Sequence, residues 1–142
     1  MREASIQQIL FDNGEIPKHT VLLVEDEVLV RHHIADQLRL AGFEAIEADN
    51  ADEALTILIA KTHIDLVITD IRLPGDTNGA DLIRWIRLRA PHIKTVVVSG
   101  YLDPYWDLPV DAVFTKPIRI DALLRRLREL LPPAEQAGSN GR

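Results

Sequence analysis

The chain has 142 residues, 46% apolar and 27% charged, the balance of one globular domain rather than a disordered segment. Its net charge of −6 excludes a generic nucleic-acid binder held by phosphate contacts. No apolar run exceeds four residues, the N-terminal MREASIQQILFDNGE has no signal-peptide core and there is no cysteine, which excludes a transmembrane helix, a disulfide and a cysteine metal site; the expectation is a soluble cytoplasmic protein.

Residues 1–19 read as an N-terminal extension in which Ser5 could cap one short helix carrying Ile6, Ile9 and Leu10. Residues 20–24 (TVLLV) are a short β-branched apolar run, a buried strand. Residues 28–41 have apolar Val30, Ile34, Leu38 and Ala41 at helical spacing, with Gly42 as the C-terminal stop. Residues 43–48 (FEAIEA) alternate with period two and form a second strand. Asn50 caps the next helix, with Glu53 three residues on and Ala54, Leu55 and Leu58 behind it.

Residues 64–69 (IDLVIT) are the third strand, followed by the turn-rich PGDTN and a helix over 80–89 that faces inward through Leu82, Ile83 and Ile86. Residues 95–98 (TVVV) and 112–115 (AVFT) are strands four and five. Between them Pro104 and Pro109 interrupt residues 101–110, so a fourth helix there is short, irregular or absent. Residues 120–131 form the last helix, stopped by Pro132-Pro133, and 132–142 read as a flexible tail. Strands alternating with helices imply right-handed crossovers and a parallel sheet, doubly wound, with helices on both faces.

Charge is uneven. Residues 1–71 hold 14 acids and 5 bases, whereas residues 72–142 hold 8 acids and 11 bases. The arginine clusters 84/87/89 and 125/126/128 read as solvated helix faces, with an acidic docking partner as the sharper alternative. The five histidines show no metal spacing, and no glycine-rich nucleotide loop is present.

An open parallel sheet binds ligands beyond the carboxyl ends of its strands. There the chain places Glu25, Asp26 and Glu27, then Asp70, then Ser99-Gly100, then Lys116-Pro117. Crowded carboxylates repel and call for a cation. Oxygen donors without histidine or cysteine favour a hard divalent ion such as Mg²⁺, and Mg²⁺ with a lysine and a hydroxyl suits a phosphoryl group.

VLLVEDE, VITDIRLPG, VVVSG and FTKP, in this order, make residues 20–131 resemble the receiver domain of two-component response regulators. The resemblance implies a flavodoxin-like sheet of strand order 2-1-3-4-5. It implies Asp70 as phosphoacceptor, Asp26 as a direct Mg²⁺ ligand, Glu25 as a supporting acid and the Arg72 carbonyl as a further ligand. Lys116 and Ser99 then meet the phosphoryl oxygens, and the Lys116–Pro117 bond is cis in such proteins. The implied partners are a histidine kinase or histidine phosphotransfer protein and an unidentified downstream protein, without nucleic acid or membrane.

Two departures from that family stand out. The aromatic usually found three residues before the lysine is replaced by Val113, and Phe114 falls on the opposite strand face. The segment between Ser99 and Lys116 is also short, which suggests residues 101–110 as an order–disorder switch carrying Tyr101, Tyr105 and Trp106. The function expected is a stand-alone receiver, not an enzyme on a separate substrate. The alternative is a receiver fragment of a larger DNA-binding regulator. An aspartyl-phosphate phosphatase would need D-x-D after the first strand, which Glu25-Asp26-Glu27 does not supply, and a degenerate receiver would lack part of the Asp/Asp/Lys set.

Overall fold

The computed structural model describes residues 18–60, 63–100 and 107–133. In chain order the elements are β1 (Thr20–Val24), α1 (Val28–Leu40), β2 (Glu44–Ala48), α2 (Ala51–Ala60), β3 (Leu66–Asp70), α3 (Gly79–Arg89), β4 (Lys94–Ser99), β5 (Ala112–Thr115) and α4 (Ile120–Leu130). All four pairings are parallel, and the strands lie in the order β2-β1-β3-β4-β5. This is the flavodoxin-like, doubly wound arrangement that the alternation of elements predicts. Residues 107–111 are not helical; the expected helix in 1–19, the aromatics of 101–106 and most of the tail lie outside the described residues.

The central strands are buried on both faces, which is why they read as unbroken apolar runs. Val21 and Leu23 of β1 join Ile34 and Leu38 of α1 and Leu123 and Leu127 of α4. Leu22 and Val24 point the other way, to Ala54 and Leu58 of α2 and Leu82 and Ile86 of α3. The period of two thus builds two cores, one on each side of the sheet.

Local signals set the ends of the helices. Gly42 has φ 99°, and its N–H reaches the Arg39 carbonyl while that of Phe43 reaches the Leu38 carbonyl, so a left-handed glycine turns the chain into β2. Phe43 is consequently part of this turn and packs with Leu38, and β2 begins at Glu44. Asn50 Oδ1 accepts the Glu53 N–H at 2.7 Å, and Asn78 with Asp81 forms a reciprocal capping box at α3.

Two site residues lie within strands rather than just past them. Asp70 pairs with Val98 and Ser99 with Thr115, because the long-range ladder runs one residue beyond each apolar run. On β5, Val113 is 42% exposed whereas Phe114 packs with the α1/α4 core, as the strand period requires.

Candidate metal and phosphoryl site

The acidic turn starts where β1 leaves the sheet. The Glu25 N–H still bonds the Ala48 carbonyl at 3.0 Å, so the first acid is held as a continuation of the ladder. Its carboxylate is almost fully buried. One oxygen accepts the Glu27 N–H at 3.0 Å and the other lies 3.1 Å from Lys116 Nζ. Asp26 is exposed at the rim.

Asp70 ends β3, the central strand. Oδ2 lies 2.6 Å from Lys116 Nζ, and Oδ1 accepts the Arg72 N–H at 3.2 Å. Lys116 follows β5; its N–H bonds the Ser99 carbonyl at 2.9 Å, and the Lys116–Pro117 peptide is cis. Ser99, 1% exposed, closes the wall on β4. The structure therefore gathers Glu25, Asp26, Asp70, Ser99 and Lys116 at one sheet edge, with Arg72 in the turn after Asp70.

Carboxylate oxygens of Glu25, Asp26 and Asp70 all lie within 4.8 Å of one another. With all three ionised and Lys116 protonated, two negative charges remain, matching one divalent cation. The donors are hard oxygens in a partly open cluster, so the residues present fit Mg²⁺. Burial holds the Glu25 carboxyl above its usual range, against the Glu27 N–H and the Lys116 ammonium, and the Asp70 charge adds to the rise. For Lys116 burial is the largest single influence and acts downward. Hydrogen bonds and charge attraction from Asp70 and Glu25 together outweigh it and hold the ammonium above 10.5.

Two residues that shape the site escaped the sequence reading. Gly79 opens α3 against the Asp70 backbone: a Cβ there would run into the Asp70 carbonyl oxygen and stand 2.8 Å from its carbon. The signal available was an Asn-Gly pair at a helix start. Arg31, one of several polar residues on α1 and so without a distinguishing signal in the sequence, donates to the Glu25 carbonyl at 2.9 Å.

Fold and site together define a flavodoxin-like, doubly wound domain with an acidic cluster and a lysine at the carboxyl ends of its strands. The response regulator receiver domain family matches residues 21–128, and the chain belongs to that family. It is 35% identical over 129 residues to the response regulator protein FleR of Pseudomonas aeruginosa, covering 83% of this chain and 26% of the relative. It is 38% identical over 119 residues to the phosphate regulon transcriptional regulatory protein PhoB of the same species, covering 79% of this chain and 51% of PhoB. Among solved structures, the response regulator protein TrrA of Thermotoga maritima, in complex with Mg(2+)-BeF, has a TM-score of 0.73 and 29% identity over 80% of this chain and 99% of that one. The chain spans about half or less of the curated relatives it matches. No helix among the described residues is long and apolar enough to cross a membrane.

Proposed function

We propose that Asp70 accepts a phosphoryl group from a histidine kinase or histidine phosphotransfer protein and that the chain signals by protein contact or onward transfer. The observation that carries this reading is the convergence on Asp70 of a lysine ammonium at 2.6 Å and two further carboxylates. An Asp70 carboxylate oxygen attacks phosphorus, the P–N bond of the donor breaks, and its electron pair leaves with the imidazole. The product is an acyl phosphate. Lys116 balances charge on the phosphoryl oxygens, and Ser99 meets one of them. Glu25, Asp26, Asp70 and the Arg72 carbonyl would hold Mg²⁺, which supplies charge neutralisation at the phosphoryl group when bound. Within this reading the protein is a cytoplasmic phosphoacceptor, catalysing only its own phosphorylation and dephosphorylation, without a nucleic-acid or membrane partner.

Radiolabelled acetyl phosphate with and without Mg²⁺ tests the proposal. Label should enter the wild type only with Mg²⁺ and should be absent from Asp70→Asn; retained acyl phosphate in that variant refutes it. A second reading, a receiver fragment of a larger DNA-binding regulator, draws support from the 51% coverage of PhoB. The size of the native polypeptide on an immunoblot separates the two.

A further inference from the structure

We propose that Arg31 is a positioning residue for the metal-binding turn, fastening the main chain beside Asp26 to Glu47 of β2 and thereby setting metal affinity. The inference rests on the proposed metal role of Glu25 and Asp26. Asp26 lies between two carbonyls, and Arg31 holds both. Its side-chain Nη1 donates to the Glu25 carbonyl at 2.9 Å, and its main-chain N–H donates to the Glu27 carbonyl at 2.8 Å. With Glu25 also bonded through its N–H to Ala48 on β2, the direction in which Asp26 leaves the chain is bracketed from both sides.

The guanidinium itself is largely desolvated, its side chain 13% exposed, and so needs a counter-charge. Glu47 provides it, accepting from Arg31 Nε at 3.1 Å. The other Glu47 oxygen accepts from Arg39 at 3.3 Å, and His32 also faces the carboxylate. This pairing directs the cationic charge of Arg31 toward β2, so a cation can sit at the acidic cluster without facing an uncompensated arginine. The guanidinium spans both partners from two different nitrogens held in a rigid fork, whereas a lysine would have to reach both from a single nitrogen on a shorter stem. Groups that orient metal ligands in this way typically change metal affinity about 10–100-fold when removed.

Isothermal titration calorimetry with MgCl₂ tests this on the whole chain. The variants are Arg31→Gln, Arg31→Lys and, as a control for lost stability, Ile86→Val in the opposite core. Arg31→Gln should raise the Mg²⁺ dissociation constant about 10-fold. Arg31→Lys should fall between it and wild type, and Ile86→Val should bind as wild type does. If Arg31→Gln does not fold, Arg31→Lys carries the test. Wild-type protein that takes up no Mg²⁺ overturns the underlying metal reading. Wild type that binds, with the folded Arg31 variant binding as tightly as Ile86→Val, overturns the role of Arg31 alone.

Discussion

Gly79→Ala isolates the packing that places Asp70, the proposed phosphoacceptor. The added Cβ would overlap the Asp70 carbonyl oxygen and stand 2.8 Å from the Asp70 carbon and 2.9 Å from Ile71 Cα. Carbon atoms pack at about 3.5–4.0 Å, so backbone must retreat by roughly 0.7 Å or more. None of these atoms is the end of a flexible side chain. The Gly79 N–H also bonds the Ile71 carbonyl at 2.9 Å, so the helix start cannot back away without losing that contact. Overpacking of this kind costs about 1–3 kcal/mol, and the better helix propensity of alanine offsets at most about 1 kcal/mol. A net loss of about 1–2 kcal/mol lowers the melting temperature by about 4–8 °C in a domain of this size. The displaced atoms carry the Asp70 carboxylate, and a misplacement of about 1 Å can cost a reaction about 100-fold. The acetyl phosphate labelling rate of Gly79→Ala should therefore drop by about 10–100-fold. Gly42→Ala is the control: at φ 99°, with nothing within 4 Å of the new Cβ, it should lose about 1–2 kcal/mol yet keep its labelling rate. Full labelling and an unchanged melting temperature in Gly79→Ala would refute the reasoning.

Further outcomes follow from the same site and core. Asp26→Ala, by removing one of three mutually repelling carboxylates, should raise the melting temperature of the metal-free protein and weaken Mg²⁺ binding in calorimetry. Glu25, whose folded carboxyl lies above its ordinary 4.5, stabilises the fold below 4.5 and loses that contribution as pH rises through the folded value. The melting temperature of metal-free wild type relative to Glu25→Gln should thus decline as pH increases from 4.5, and a flat difference contradicts this. Phe114→Ala should cost about 2–4 kcal/mol in chemical denaturation, whereas Val113→Ala, on the exposed face, should stay within about 0.5 kcal/mol.

Much of the layout could be read directly because its signals are local. Parallel strands covered on both faces must be apolar at every position, and TVLLV and VVV satisfy that without reference to any neighbour. The acids at 25–26 were legible because they adjoin such a run, and the lysine at 116 because it follows the short strand AVFT. The opposed faces of Val113 and Phe114 followed from the two-residue period alone. What remained hidden depends on distant partners. That Asp70 and Ser99 lie inside the ladder is decided by Val98 and Thr115. The need for glycine at 79 arises from how closely α3 approaches the end of β3. Arg31 on α1 has no signal of its own until Glu47, 16 residues away on β2, comes alongside.

The opposite edge of the sheet is stitched by a repeated device. Asp65 Oδ2 accepts the Thr20 N–H and Asp111 Oδ2 accepts the Thr95 N–H, each at 2.8 Å. Beside the first of these, His19 Nε2 lies 3.1 Å from the Pro132 carbonyl oxygen, so the segment leading into β1 and the segment leaving α4 meet at one pole. The acids occupy the other pole, about 17 Å away along a five-residue strand. The first and last described residues, Lys18 and Pro133, therefore stand at the pole remote from the acidic cluster. A fusion made directly at Lys18 or Pro133 would thus leave the domain at the pole away from Glu25, Asp26 and Asp70.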